Sequence, residues 1–468
     1  MVIGGLAFGA SVYGASVIAT PISSDPYTNS SSQHRTQLEP DSFGFGNTVV
    51  ATFQTGRFFD GGASNIGWAT TTNAGRTWTT GMLPGTTVFE GGPWARISDP
   101  AVAYDPLHDV WMISTLAIDA SVSGAAVLTS RSTNGGLTWQ SPVTTSLSSG
   151  TFYDKNWITC DTWPQSPHYG NCYQEWDDSR LSMSTSSDGG LTWGPVRFPG
   201  SNGIGGQPVV QPNGNVIVTY EGGAGIRSFR STDGGATWQP SVPVASISSH
   251  GVAGNLRTSP LPSAEVDAAG KVYVSWQDCR YRTGCTSNDI VYATSTDGVA
   301  WAPVVRVPID ATNSGVDHFI PGLAVDRATS GNTGRVALGY YYYPVAACNA
   351  STCQLTVGFV SSTDGGTSWT QSRKVAGPIN LAWIASTNQG VMVGDYMSTS
   401  FAGGNFAFPI FAVAKAKTGA VFDERAYSAR FDVTIPSDTK LVRVRHDPVR
   451  YRAPTRPPEE SVVLPIPN

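Results

Sequence analysis

Apolar residues in this 468-residue chain come in short runs, alternating or continuous, that stop at Gly, Pro, Asn or Asp. Residues 100–105 and 110–116, 207–211 and 216–220, and 263–267 and 272–276 are paired runs of this kind, each pair separated by a few turn-forming residues. Short runs bounded by turn residues predict strands, and their close pairing predicts antiparallel hairpins.

A longer repeat lies over this pattern. Residues 72–78, 132–139, 186–193, 231–238, 295–301 and 362–369 share one motif, seen whole in Ser231-Thr232-Asp233-Gly234-Gly235-Ala236-Thr237-Trp238. Its residue types suit a fastened hairpin turn. Asp or Asn folds back onto nearby backbone amides, Gly takes a positive φ, and Trp packs beneath. Turn chemistry accounts for these acids, so they are read as structural. The motif resembles the Asp box, or bacterial neuraminidase repeat, of the sialidase superfamily, and its six copies cover most of the chain.

Two strands ahead of each motif, a third entering it and a fourth after its Trp make a four-stranded antiparallel unit, the blade of a β-propeller. The motif tryptophans are 61, 54, 45, 63 and 68 residues apart, more than a compact repeat of about 40–45, so the surplus sits in loops. A seventh unit opens at Val393-Gly394-Asp395-Tyr396 and continues through 406–414 and 426–433 without a motif. The expected fold is all-β, a propeller of seven blades, with six as the alternative. Residues 37–435 form the propeller. Residues 1–36 are a signal remnant or a ring-closing strand, and 436–468 a basic, Pro-rich tail.

Composition fits this reading. Charged residues are 13%, against a usual 25% or so, while 52 Gly and 31 Pro punctuate many short strands. A net charge of −5 leaves no basic footprint for nucleic acid, and no long apolar run reads as a membrane span. Cys160 with Cys172, Cys279 with Cys285 and Cys348 with Cys353 are local pairs whose spacing suits loop-stapling disulfides rather than zinc, which predicts a secreted protein. A monomer is expected.

Candidate chemistry lies on the face opposite the motif turns, where loops enter each innermost strand and leave the second. Aligning the units puts Glu39, Asp99, Asp154, Gln207, Ser259, Asp317 and Asp395 at successive entries. Such a ring of acids serves as strand caps, a cation site or catalytic carboxylates. The second set of loops carries Arg57, Glu221, Arg280 and the run 340–343 of four tyrosines, with His168 and His318 assigned to the same face. Aromatic and charged side chains on one concave face suit a carbohydrate.

The resemblance to sialidases implies three arginines on a substrate carboxylate, a Tyr nucleophile activated by Glu, and an Asp acid/base. Chain order then assigns Asp99, Glu221 and Tyr341 to catalysis. Arg57, Arg96, Arg257, Arg280, Asp154, Asp317, His318 and Asp395 are assigned to substrate binding. The Arg-Ile-Pro sequence of that family is absent, and Arg96-Ile97-Ser98-Asp99-Pro100 stands one blade late. The expected function is a secreted exo-glycosidase acting on terminal acidic sugars of a glycan. The alternatives are a polysaccharide lyase using His318, Tyr341 and Arg257, and a non-catalytic carbohydrate-binding propeller. No cofactor is required by this chemistry, and the metal question, a structural calcium included, stays open.

Overall fold

The computed structural model describes residues 18–223, 225–434 and 450–451. Residues 1–17 and the expected tail at 436–468, those two positions apart, lie outside the described residues. The chain is all-β, and its strands pair in successive antiparallel units. The first comprises Gln33–Phe45, Thr48–Arg57, Ala63–Thr71 and Thr79–Met82. Arg96–Asp105 opens the second, Asp154–Cys160 the third, Ile204–Val210 the fourth, Ser263–Val266 the fifth, Asp317–Val325 the sixth and Ser398–Ala402 the last. The opening strands of the fourth, fifth and sixth units each lead a separate sheet of four strands in chain order, the third unit is a sheet of three, and the first, second and last units are joined by edge pairing into one larger sheet.

The last unit explains why it lacks the repeated turn. After Phe406–Thr418 and Val421–Ser428, its outer position is taken by Thr20–Pro21, which pairs antiparallel with Ser428 and Tyr427. With that strand arriving from the other end of the chain, there is no hairpin to fasten. Ile22 is fully buried there among Val49, Phe53, Phe408 and Ile410, so residues 18–36 belong to the folded body.

The six repeated turns share one hydrogen-bond scheme. In the third unit Ser186 Oγ donates to Asp188 Oδ1 at 2.8 Å, and the N–H groups of Leu191 and Thr192 donate to the same oxygen at 3.0 Å. Each turn also docks on its neighbour. Thr70 Oγ1 donates to Gly136 O at 2.7 Å, Ser228 Oγ to Gly298 O at 2.9 Å, and the Tyr292 hydroxyl to Gly366 O at 2.9 Å. A Cβ on Gly190, at φ +76°, would lie 2.5 Å from Met112 Sδ in the preceding unit, which is why that position is glycine.

Opening strands of successive units contact one another, and that of the last unit contacts that of the first. Five of them are bulged near their start, where the register shifts by one residue. At these bulges Glu39, Asp99, Lys155, Gly205 and Ile320 have φ of +45° to +66°. A bulge re-aims side chains and is frequent beside active sites.

All three cysteine pairs form disulfides: Cys160–Cys172, Cys279–Cys285 and Cys348–Cys353. Among the described residues no helix is long and apolar enough to cross a membrane.

Candidate functional site

The bulges gather charge at the entry end of the opening strands. Lys155 Nζ donates to Asp99 Oδ1 at 3.3 Å, to Glu39 Oε1 at 3.4 Å and, most closely, to Asp395 Oδ2. Arg257 also pairs with Asp395. Arg57 donates to Gln54 Oε1 at 2.8 Å, and Gln54 in turn donates to Glu39 and to Ser98 Oγ. Gly394 makes this approach feasible, since a Cβ there would lie 2.6 Å from the Glu39 Cα. The Asp395 N–H donates to Glu39 Oε1 at 3.4 Å. Tyr396 closes one wall, its hydroxyl donating to Pro100 O at 3.2 Å and its ring packed edge-on against Trp157.

Glu39, Asp99, Asp395, Lys155 and Arg57 are buried, whereas Asp154 and Arg257 are half-buried at the edge of the cluster. Burial and electrostatics drive these groups apart. Burial, opposed by Lys155, pushes the Glu39 carboxyl up to about 7. Burial and the neighbouring Asp99 charge push Asp154 up to about 6. At Asp395 burial is overcome by Lys155 and Arg257, which hold its carboxyl down at about 2. Lys155 is held well above its ordinary range because Asp395, Asp99 and Glu39 outweigh its burial. Arg57 is lowered by burial, and its Nε has no partner. Behind Asp154, burial and the Asp154 charge raise Asp177 to about 8. Within one cluster the carboxyls are thus driven apart, Glu39, Asp154 and Asp177 upward and Asp395 downward. A pocket beside it is lined by Lys155, Asp395, Tyr396, Trp157, Gln207 and Ile320.

Of the residues expected from the sequence, Asp99, Asp154, Asp395, Arg57 and Arg257 come together here. The others are elsewhere. Arg96 pairs with Asp60 and stacks on Phe58, with its guanidinium 4.2 Å from the ring. Arg280 is held by Asp278, with Nε at 2.9 Å and Nη2 at 2.7 Å. Of the four arginines expected, Arg57 and Arg257 lie in this cluster, where Lys155 is a further cation. The buried Tyr341 hydroxyl donates to Ala412 O and accepts from Ala412 N, both at 2.9 Å, so it is absorbed in packing. Glu221 lies in the second strand of the fourth unit, its carboxyl raised by burial. Asp317 accepts from the Asn288 backbone and side chain at 2.7 and 2.9 Å, away from the cluster. His318 stacks on Tyr342 and burial lowers it to about 4, so His318 and Tyr341 do not meet as a lyase pair. His168 lies between the first and second strands of the third unit, on the repeated-turn side, not with the entry loops.

The alignment of strand entries is also corrected. Lys155, Gly205 and Ile320 occupy the bulge positions where the acidic ring placed Asp154, Gln207 and Asp317, and Ser259 lies in a loop. Residue-by-residue spacing cannot see the extra residue of a bulge. Lys155 was missed as a site residue for that reason. A usable signal was present in Glu39-Pro40, Asp99-Pro100 and Ile320-Pro321, where proline follows the bulged residue.

Among the described residues, one group could offer three ligands to a metal: Asp289, Asp310 and His318. It does not suit calcium. Arg282 and Arg306 already pair with both carboxylates, at 2.5–2.8 Å, and supply the positive charge a cation would bring.

No family model and no curated protein matches the chain. Solved structures do. A sialidase (NanB) from Streptococcus pneumoniae is 13% identical, covering 89% of this chain and 71% of its own, with a TM-score of 0.43. An ulvan lyase of polysaccharide lyase family 25 is 10% identical, covering 88% and 95%, with a TM-score of 0.48. A protein of unknown function from Dyadobacter fermentans is 15% identical, covering 75% and 100%, with a TM-score of 0.46.

Proposed function

We propose that the chain is a seven-bladed β-propeller and a secreted glycoside hydrolase acting on terminal acidic sugars. Two facts support seven blades: the circuit of contacts among the opening strands and the N-terminal strand in the last unit. The three disulfides support secretion. The observation that carries the activity is the half-buried Asp154, proton-bearing near pH 6, at the edge of a cluster whose other members are fixed by Lys155.

In this reading Asp154 donates its proton to the glycosidic oxygen. Asp99, beside it, is the second carboxyl of the acid/base pair that glycoside cleavage uses. Arg257 meets the carboxylate of the sugar, with Arg57 and Lys155 behind it. Planar guanidinium groups match a carboxylate, and the partial exposure of Arg257 leaves donors available. Asp395 orients Lys155 and Arg257 and stays ionised throughout.

The test is release of a fluorogenic aglycone from a sialoside and from a glucuronide. The wild type should cleave one of them, and Asp99→Asn and Asp154→Asn should each lower kcat by at least about 10²-fold. Unchanged rates in both variants refute the assignment. Growth of unsaturated-uronate absorbance on a polyuronide would establish a lyase instead.

A further inference from the structure

We propose a second ligand site, for a carboxylate-bearing sugar, at the far mouth of the central channel on the repeated-turn face. Opening strands enter at the Lys155 cluster and leave at the opposite end, the end where the third strands enter the repeated turns. There a cavity of about 460 Å³ opens, within the range of small-ligand sites. Its walls come from the exits of five opening strands, with Phe43 and Phe45, Trp163, Glu265, Arg327 and Phe401 among the lining residues. The polar middle of the channel, lined by Asp41, Gln207 and Glu265, separates it from the entry-end cluster.

Arg327 is what makes this cavity a site. Its guanidinium lies 5.2 Å from the Trp163 ring and 5.6 Å from the Phe43 ring, which fix its plane. Trp163 is itself held, its Nε1 donating to Val210 O at 2.7 Å. Yet among the described residues this cation donates one hydrogen bond, from Nη1 to Thr162 Oγ1 at 2.7 Å, and its Nε is buried with no partner. Among the described residues it has no salt bridge. The second arginine on the wall, Arg335, is neutralised by Asp326. Two acids lie near Arg327 without pairing: Glu265 on the cavity wall, whose carboxyl burial pushes up to about 7, and Asp161, raised by burial, whose oxygens accept from the Trp163 N–H and the Ser166 hydroxyl.

A half-buried guanidinium whose Nε is buried without a partner gains from an anion that completes it, and its fork suits a carboxylate. Exposed Phe45 and half-buried Phe401 give apolar faces for the C–H side of a sugar ring. The site is independent of the proposed hydrolytic activity.

Isothermal titration of the full chain with sodium glucuronate and with glucose tests this. Glucuronate should bind the wild type, and Arg327→Gln should weaken one binding event at least tenfold while Arg257→Gln leaves that event intact. Arg327→Lys, which keeps the charge without the fork, should recover part of it. Glucose should not bind there. Indistinguishable titrations of wild type and R327Q overturn the proposal, as does loss of all glucuronate binding in R257Q alone. Equal affinity for glucose overturns the anionic selectivity. If R327Q does not fold, soaking wild-type crystals decides: a carboxylate on Arg327 supports the site, and an empty cavity refutes it.

Discussion

Lys155→Met keeps most of the side-chain volume and removes the charge on which Glu39, Asp99 and Asp395 converge. In the wild type Asp395 has a depressed carboxyl, so its stabilisation is present above its ordinary range and fades only as pH falls toward about 2. Glu39 runs the other way: held up at about 7, it costs stability progressively as pH rises to that value, and no further above it. Without Lys155, Glu39 and Asp395 lose the largest charge opposing their burial and move up, Asp395 still held in part by Arg257. The native state then keeps at least one proton that the unfolded chain has released. Removing one partner from a buried ion-pair group costs on the order of 3–5 kcal/mol. Each extra native-state proton adds about 1.4 kcal/mol per pH unit until the group ionises. The expected loss is therefore about 3–5 kcal/mol at pH 8, and clearly smaller at pH 5. Urea unfolding followed by tryptophan fluorescence at both pH values measures it. A loss below about 1 kcal/mol at pH 8, or an equal loss at both, refutes the charge-cluster reasoning.

Gly235→Ala places a Cβ 2.4 Å from Thr185 Oγ1 at φ +83°, and should cost about 1–3 kcal/mol by urea unfolding, whereas Gly251→Ala, with nothing within 4 Å, should be near neutral. Asp188→Ala removes the acceptor of two turn N–H groups and should lower stability by about 1–2 kcal/mol without changing hydrolysis. Ile22→Ala should cost about 2–5 kcal/mol in the same assay if the N-terminal segment is integral to the last unit. Replacing both Cys160 and Cys172 with Ser opens a loop of twelve-residue separation and should cost about 2–4 kcal/mol.

The strands and turns were legible because their causes are local. Asp188 and its serine sit two residues apart, and alternating residues state which strand face is buried. The seventh unit was legible only from its strands, since its outer strand comes from Thr20–Pro21, almost the whole chain away. Asp99, Asp154 and Asp395 could be placed at one end because strand starts recur at recognisable places, Arg57 because it ends a second strand, and Arg257 by chain order alone. Lys155 was not, because a bulge shifts the facing residue by one and a one-residue shift exchanges inside for outside. Tyr341 and Arg280 were chosen by chain order, which says nothing of the Ala412 backbone that absorbs one. The acid that holds the other, Asp278, was two residues away and readable.

In the proposed function the carboxyl cluster at the channel entry cleaves acidic glycosides with Asp154 as proton donor. The pH profile of sialoside and glucuronide hydrolysis tests it most directly. General-acid use of Asp154 predicts that kcat falls tenfold per pH unit above about 6, and that Asp154→Asn abolishes this limb with most of the rate. A wild type that cleaves neither substrate, or an Asp154→Asn enzyme with the wild-type profile, contradicts it.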